Sequence, residues 1–466
     1  MKKVLTFALV FLIALCPLVV ISYNADGDYL VEDGVLLSFS GDGTTVNIPE
    51  DVYYIADYAF KDNAKITKIV IHDDVRIIGN EAFYGCTSLK TVSGGKGVSS
   101  VGAYAFHGTP FMENSKTEII SLGSVIIGGK ISGELDTPEN ISMIAPYAFA
   151  ENTDLTAVNC SEDLTIIGEG AFYRCSELAE VRVGDEVSFV GPLAFYGTAF
   201  AGDFESDFVT IGDGFLVEYK GSGESVLVPS DIKSVSGGAF YFNSHITDVT
   251  IPEGVVSLGE RAFMNCSKLK TVKLPQSLTM IGKEAFAKCK ALSTITIPSD
   301  VTLVGESVFY GCSSLKTAVF KNSSDLPKGA FAKCSALEIV KLPSNITAVG
   351  DSAFLDCHKL TDIALPDTVL SIGEDAFSGA DNLVVSCPKA SFAYSYCSEN
   401  DVSVMQMGDA NKDGKLNIRD ATYIQKYVAS VLDMSDSEAI RGDINFDGKI
   451  NVRDATYIQK LLAGMI

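Results

Sequence analysis

The sequence predicts an α/β solenoid of stacked coils, each with a β-strand and a short helix, followed by a small all-α module with two acidic loop-helix motifs. Two observations support this fold class. A phenylalanine recurs with a step of 23 residues along most of the 466-residue chain, and a fixed period of this size indicates stacked repeats. An acidic pattern rich in Asp, Asn and Gly then occurs twice near the C-terminus.

The repeat is marked by a phenylalanine that follows an alanine or, once, a valine. Within one unit, residues 255–275, the apolar residues Leu269, Val272 and Leu274 predict a strand, and Gly259 permits a turn. Ala262 is expected to start the short inward-packing helical segment. A single coil cannot bury these side chains, but stacked neighbours form a continuous core. The repeat phenylalanine occupies thirteen positions: Phe60, Phe83, Phe106, Phe149, Phe172, Phe195, Phe240, Phe263, Phe286, Phe309, Phe331, Phe354 and Phe377.

Two gaps in this series are longer than one repeat. The gap after Phe195 contains residues 211–229, whose apolar alternation around glycine predicts an inserted β-hairpin. We expect a similar hairpin in the gap after Phe106, and a third over residues 29–49 that also caps the N-terminal end. Beyond the last repeat, residues 390–400 predict a short helix and residues 402–406 a strand, which together form a C-terminal cap.

The repeated phrase Ile-Gly-x-x-Ala-Phe-x-x-Cys-x-x-Leu resembles the BspA-like leucine-rich repeat family of bacterial surface proteins. The strand positions of each unit follow the Leu-x-x-Leu-x-Leu pattern of such repeats. The resemblance implies a leucine-rich repeat solenoid, which we place at residues 23–404 with its caps.

The cysteines favour buried free thiols over a disulfide framework. Their side chains occupy the same slot in successive coils, so their Cβ vectors run parallel and do not face one another. Beyond the last repeat, Cys387 and Cys397 are the one pair that could form a disulfide. The residues three positions after a repeat phenylalanine are Cys86, Cys175, Cys266, Cys289, Cys312, Cys334 and Cys357.

The acidic pattern occupies residues 409–420 and 443–454. Side-chain oxygens stand at positions 1, 3, 5, 9 and 12 of each loop, and glycine stands at position 6. Ca²⁺ binds six to eight oxygen ligands, which alternate side chains on a sharply turning loop can supply. Position 7 contributes a main-chain carbonyl. The sequence therefore predicts two Ca²⁺ ions, with ligands Asp409, Asn411, Asp413, Lys415, Asn417 and Asp420 in the first loop and Asp443, Asn445, Asp447, Lys449, Asn451 and Asp454 in the second.

Each loop runs into the same seven residues, Asp-Ala-Thr-Tyr-Ile-Gln-Lys, and position 12 is Asp where an EF-hand has Glu. This duplicated loop-helix unit resembles a type I dockerin, the anchoring module of cellulosomes, and we place it at residues 405–466. The resemblance implies a cohesin partner on a scaffoldin or cell-surface anchor. It departs from the best-known dockerins, which have a Ser-Thr pair at positions 10 and 11. The residues implied to contact cohesin are Ile418, Arg419, Gln425 and Lys426 in the first half and Val452, Arg453, Gln459 and Lys460 in the second.

The N-terminus predicts a secretory signal over residues 1–22. A short basic start precedes an apolar stretch that ends abruptly in polar residues. We expect cleavage after Ser22 or, alternatively, Ala25, although an uncleaved membrane anchor is the other interpretation of such a stretch. No later hydrophobic run could span a membrane. A formal charge of −23 disfavours nucleic acid as a partner, because phosphate binding depends on clustered Lys and Arg.

The repeats show no catalytic pattern. The four histidines, His72, His107, His245 and His358, lie in different repeats without metal-ligand spacing. The outward strand positions, which include Asp362 and Ala364, offer no paired carboxylates of the kind that a glycosidase uses. The chain has no tryptophan, so a protein ligand on the broad sheet face fits better than a glycan in a cleft. Two hypotheses follow: a secreted non-catalytic interaction protein, or a cellulosomal enzyme or accessory that takes part directly in plant polysaccharide degradation.

Overall fold

The computed structural model describes residues 21–23, 28–115, 117–200, 206–321 and 325–465, and the chain divides into two compact units, residues 1–180 and 181–466. The predicted signal sequence, residues 1–22, lies outside the described residues except for its last two positions. Those two belong to the strand Ile21–Tyr23, which pairs antiparallel with Tyr29–Glu32.

The first unit is a solenoid whose coils contribute short parallel strands to two ladders. In both ladders residues 23 apart in sequence are partners, such as Ile55 with Ile78 and Ile69 with Val92. Like side chains therefore stack from coil to coil. Its strands after the first are Tyr29–Glu32, Val35–Phe39, Thr45–Asn47, Tyr54–Ile55, Lys68–Ile71, Ile77–Ile78, Thr91–Gly94, Ser100–Val101, Ile119–Leu122, Val125–Gly129, Gly133–Asp136, Met143–Ile144, Leu155–Asn159 and Ile166–Ile167, with a one-turn helix, α1, at Pro110–Glu113.

The second unit is built from coils of the same kind and also contains a helical module. Val249 pairs with Val226 on one side and Val272 on the other, again one repeat apart. The strand Glu180–Arg182 spans the division between the units. The remaining strands are Phe189–Val190, Phe208–Ile211, Phe215–Tyr219, Ser225–Leu227, Ser234–Val235, Asp248–Thr250, Ser257–Leu258, Thr271–Lys273, Met280–Ile281, Thr294–Ile297, Leu303–Val304, Thr317–Phe320, Ile339–Lys341, Ala348–Val349, Asp362–Ala364, Ser371–Ile372, Val384–Cys387 and Ser403–Gln406.

A hairpin is present in each of the three predicted regions, but two of them end earlier than expected, because residues 45–47 and 225–227 are parallel strands of the coils. Tyr29–Glu32 pairs antiparallel with Val35–Phe39, and Phe208–Ile211 pairs in the same way with Phe215–Tyr219. The third hairpin, in the first long gap, joins Ile119–Leu122 to Val125–Gly129. The second strand of each hairpin also pairs parallel with the next coil. Each hairpin therefore begins a run of coils.

The repeat phenylalanines form the centre of the core, as predicted. All thirteen are at most 8% exposed. Within the second unit, the rings of Phe263 and Phe286 are parallel to within 4°, with centroids 5.3 Å apart. In this unit the parallel stacks continue from Phe240 to Phe377, because neighbouring coils of that run place their phenylalanines side by side.

The prediction of a short helix in each coil is wrong. At these positions the described coils have consecutive tight turns. In one coil the N–H groups of Arg261, Phe263 and Asn265 donate to carbonyls of the next coil, while the intervening N–H groups close turns within the coil. Arg261 and Asn265 have φ of 56° and 62°, which an α-helix does not accommodate. Every second backbone N–H group in this segment therefore bonds to the next coil, and it is not available for the hydrogen bonds of a helix.

Gly259 has a role different from the one predicted. Its φ is not in the left-handed region, so no turn demands glycine there. A Cβ at this position would instead lie 2.3 Å from the backbone nitrogen of Gly237 in the preceding coil. The glycine allows two backbones to approach closely.

The cysteines are free thiols, as expected for the repeat positions. Each of the seven repeat cysteines is fully buried and donates from Sγ to the carbonyl oxygen of the repeat phenylalanine in the preceding coil, at 2.9 to 3.1 Å. The disulfide considered for Cys387 and Cys397 is not formed. Both are buried free thiols that pack in the apolar core at the C-terminal cap.

The cap and the C-terminal module follow one another without a long linker. Helix α2, Phe392–Glu399, and the strand Ser403–Gln406 form the predicted cap. That strand pairs parallel with Val384–Cys387 and crosses the predicted module boundary between residues 404 and 405. The module contains α3 at Ile418–Val428, α4 at Asp436–Gly442 and α5 at Val452–Leu462.

Candidate calcium-binding module

The two acidic loops fold in the same way because each ends in a helix cap. Asn417 caps α3 by accepting a hydrogen bond from the N–H of Arg419 at 2.9 Å. Its own N–H donates back to Asp420 Oδ2 at 2.8 Å, which completes a reciprocal capping box. Asn451 and Asp454 repeat this arrangement at α5. Position 12 of each loop is therefore held on the first turn of a helix.

The first carboxylate of each loop is bound by the backbone of the turn that follows. Asp409 accepts the N–H groups of Asp413 and Gly414 at 3.1 and 2.8 Å. In the second loop Asp443 accepts those of Asp447 and Gly448 at 3.0 and 2.8 Å. These bonds direct the carboxylates toward the inside of the loop.

Glycine at position 6 is required by the backbone in both loops. Gly414 and Gly448 have φ of 80° and 79°, in the left-handed region that favours glycine. A Cβ on either would meet nothing within 4 Å. The left-handed backbone conformation therefore explains why glycine occupies position 6. Steric crowding around a side chain does not explain it.

Negative charge is concentrated in these loops. Burial, together with the charges of Asp454 and Asp447, raises the pKa of Asp443 from its ordinary 3.8 to about 6. Burial first, and nearby loop carboxylates second, also raise the pKa of Asp420 and of Asp454. Both position-12 side chains are fully buried. Ionised carboxylates so placed require a compensating cation.

The donor set fits a hard cation. The buried Oδ1 of Asp454 has no hydrogen-bond partner among the described residues, so a strong acceptor is left over inside the second loop. Carboxylate, amide and carbonyl oxygens predominate in both loops, and Ca²⁺ prefers such ligands. No three His, Cys, Asp or Glu side chains in the described part of the chain form a group that could hold a metal by themselves. A Ca²⁺ site here would also need the asparagine and main-chain oxygens.

The two halves of the module pack face to face on a small core. Ala421 and Ile424 of α3 and Ala455 and Ile458 of α5 are fully buried against each other. The residues implied to contact cohesin lie on the opposite, exposed surfaces of these two helices, and all eight are exposed to solvent: Ile418, Arg419, Gln425, Lys426, Val452, Arg453, Gln459 and Lys460.

One contact of the module was not predicted. Asp362, expected on the outward face of its strand, is only 5% exposed and forms an ion pair with Arg441 of α4. Ala364 on the same strand packs against the core of the module. No sequence period marks Arg441. The one available signal was an isolated basic residue just before the second calcium loop.

The histidines have ordinary structural surroundings. His72 Nε2 lies 2.8 Å from the carbonyl oxygen of Pro49, and His358 Nδ1 lies 2.8 Å from that of Gly379. His107 stacks on Tyr84. Among the described residues, no helix combines the length and apolar character needed to cross a membrane.

Comparison with known families agrees with this geometry. The BspA type leucine rich repeat region matches residues 38–125, 114–201, 209–338 and 261–384, which together make up most of the chain. The chain belongs to the BspA-type leucine-rich repeat family. The type I dockerin domain matches residues 407–463, so this BspA-type protein carries a C-terminal dockerin. No curated protein matches the chain significantly.

Several solved structures are similar to this BspA-type chain. A leucine rich cell surface protein from Faecalibacterium prausnitzii is 22% identical over 70% of this chain and 95% of its own, with a TM-score of 0.33. A leucine-rich repeat protein from Eubacterium ventriosum is 22% identical over 75% and 89%, with a TM-score of 0.37. The T. pallidum leucine rich repeat protein is 30% identical over 40% and 88%, with a TM-score of 0.35.

The family membership has coarse functional consequences. Type I dockerin domains bind calcium and indicate a cohesin partner in a cellulosome-type assembly. A BspA-type repeat array indicates a binding surface, and both module types are typical of extracellular or cell-surface proteins.

Proposed function

We propose that this protein is a secreted, non-catalytic interaction protein. Its dockerin attaches it, through calcium-dependent cohesin binding, to a scaffoldin or a cell-surface anchor. The repeat array then presents a binding surface to another protein or to cell-wall material. The observation that carries this proposal is the duplicated acidic loop, in which buried carboxylates face inward while two equivalent helix surfaces remain exposed.

We assign one Ca²⁺ ion to each loop. The predicted side-chain and main-chain oxygens would hold it, and the ion would neutralise carboxylates whose pKa burial has raised. Loss of a position-12 aspartate should be the most damaging single change, because Asp420 and Asp454 also complete the capping boxes of their helices. Metal binding and helix formation are thereby linked.

The strand face of the repeats is the surface that we assign to ligand binding. In the second unit its exposed positions include Thr271, Lys273, Thr294 and Thr296. These side chains belong to neighbouring coils, and they form a broad polar surface without an aromatic anchor. A partner with an extended, hydrogen-bonding surface fits this face better than a single sugar ring does.

The cavities also favour a non-catalytic role. One of about 370 Å³ lies between the last coil and the C-terminal cap, and its lining includes Asp375, Asp381, Tyr396 and Asp401. The lining contains neither histidine nor cysteine. We therefore assign no chemistry to it.

Calcium-dependent capture tests the proposal. The full chain should be retained on an immobilised panel of cohesins in Ca²⁺ and released by a chelator. The double variant Asp420→Ala with Asp454→Ala should not be retained. Asp433→Ala, which changes an exposed aspartate outside both loops, serves as the matched control. Retention that is equal with and without Ca²⁺ would contradict the proposal.

Activity assays address the enzyme hypothesis. We expect no turnover of cellulose, xylan, pectin or casein by the full chain, because the described repeats offer no convergent nucleophile or acid-base pair. Turnover that persists through successive purification steps would instead favour a cellulosomal enzyme.

A further inference from the structure

The dockerin is seated on the solenoid through a buried ion pair. Arg441 Nη2 contacts Asp362 Oδ1, and both residues are only 5% exposed. The other oxygen of Asp362 accepts the hydroxyl of Thr361 at 3.0 Å. A buried cation and anion are tolerated only when they are paired, so each of these charges depends on the other. The contact joins residues that lie 79 positions apart in the sequence.

The junction also contains a region of apolar contact. A narrow cleft of about 60 Å³ at the junction is lined by Leu342 and Ala364 from the solenoid and by Ile440, Phe446 and Ile450 from the module. Lys341 and Asp443 also line the cleft. The second calcium loop, which contains Phe446 and Ile450, therefore borders the strand face of the solenoid.

Arg441 connects the contact between dockerin and solenoid to the beginnings of both calcium loops. Its main-chain carbonyl accepts the N–H of Gly408 at 3.0 Å, and Gly408 immediately precedes Asp409, the first residue of loop one. Two residues after Arg441, Asp443 begins loop two, and its N–H closes the end of α4 on the carbonyl of Ala439 at 3.1 Å. A shift of Arg441 would move the first ligand of either loop.

We propose that seating of the dockerin on the solenoid and calcium binding in its loops are energetically coupled through Arg441, with Asp362 as a positioning residue. This inference rests on the calcium sites of the proposed function. Coupling is reciprocal. Packing of the dockerin on the solenoid therefore strengthens calcium binding by the same factor by which calcium strengthens that packing. The eight proposed cohesin-contact residues remain exposed in the seated module, so seating leaves both recognition surfaces accessible.

Calcium titration of the full chain by calorimetry tests the coupling. Asp362→Asn leaves the guanidinium buried without its anion, and we expect a roughly tenfold weaker calcium affinity, within the usual range of coupling factors. Asp362→Glu, which keeps the charge, should recover part of the loss. Asp367→Asn is the matched control, since Asp367 is an exposed aspartate of the same coil, and its affinity should not change. Equal affinity in Asp362→Asn and the parent chain would overturn the inference.

Hydrogen exchange in the unaltered chain gives a second test that does not depend on any variant folding. On calcium addition, amide exchange should slow in the strand Asp362–Ala364, because the contact between this strand and the dockerin should open less often. Exchange in Thr294–Ile297, a strand of the same solenoid that the module does not cover, should stay the same. If calcium binds but Asp362–Ala364 does not respond, the coupling is wrong while the calcium sites stand. If calcium does not bind at all, the proposed function itself fails.

Discussion

The thiol of Cys289 lies 3.1 Å from the carbonyl oxygen of Phe263 in the preceding coil, and the same contact recurs along the repeats. The thiol fills an inward slot and donates to a carbonyl in the apolar core. Burial raises the pKa of Cys289 well above its ordinary value and that of Cys312 to about 12. Cysteine in these repeats is therefore a small apolar side chain with a weak donor, and it is not a redox site.

The first prediction concerns thiol reactivity. Because the thiolate is the reactive species, the native chain at pH 8 should resist alkylation by iodoacetamide at its seven repeat cysteines. The same residues should react readily in guanidinium, which provides the control. Mass spectrometry that finds Cys289 or Cys312 rapidly modified in the native protein would contradict the structure of this core.

The second prediction concerns close contact between coils. A Cβ on Gly282 would lie 2.5 Å from the backbone nitrogen of Glu260. Gly282→Ala should therefore destabilise the solenoid by about 1–3 kcal/mol or more, as other overpacked cores do. Gly223→Ala is the control, because a Cβ there meets its nearest atom at 3.4 Å. If guanidinium unfolding gives the two variants the same free energy of unfolding, the coils can move apart with little loss of stability.

The third prediction is a pH dependence that changes sign with calcium. The folded metal-free module holds the pKa of Asp443 near 6, above its ordinary 3.8, so the folded state binds more protons than the unfolded state between these values. Metal-free stability should be greatest below about pH 4 and fall as the pH rises through 6. Calcium binding requires the ionised carboxylate, so the calcium-loaded module should instead gain stability over this range.

Thermal unfolding at pH 5 and pH 7 measures this reversal. Calcium should be removed from protein and buffers beforehand with a chelating resin, since soluble chelators lose affinity in acid. A metal-free module that is more stable at pH 7 than at pH 5 would be inconsistent with crowded, buried carboxylates in the loops.

The fourth prediction concerns cohesin recognition by either half of the dockerin. Arg419 and Arg453 occupy equivalent exposed positions on α3 and α5. Rotation by about 180° would present either surface to the same cohesin. Each single variant, Arg419→Asp or Arg453→Asp, should therefore bind nearly as well as the parent chain, while the double variant should lose binding through charge reversal on both surfaces.

Calorimetry with a cohesin, at saturating calcium, distinguishes one recognition surface from two. Circular dichroism of each variant supplies the control that its calcium-dependent fold persists. Loss of most of the affinity in one single variant would mean that one half alone carries recognition.

Features that repeat or lie close together in the chain were predictable from the sequence. The 23-residue step placed the phenylalanine and cysteine slots, because every coil presents the same local environment to its neighbours. Two of the three hairpins were visible as interruptions of that step. The calcium loops were equally accessible, since all their proposed ligands lie within twelve positions of one another on a loop whose turn demands glycine at Gly414 and Gly448.

Contacts between distant segments required the tertiary structure. Turns replace the expected helices because N–H groups such as that of Phe263 pair with the next coil, and this competition is invisible within one repeat. Gly259 is explained only by the backbone that approaches it. The ion pair between Asp362 and Arg441 joins two unrelated patterns, so neither period contained a signal for it. Periodicity in the sequence determines which residues stack between neighbouring coils. The packing of one module on another depends instead on surface shape and charge, which exist only in the folded chain.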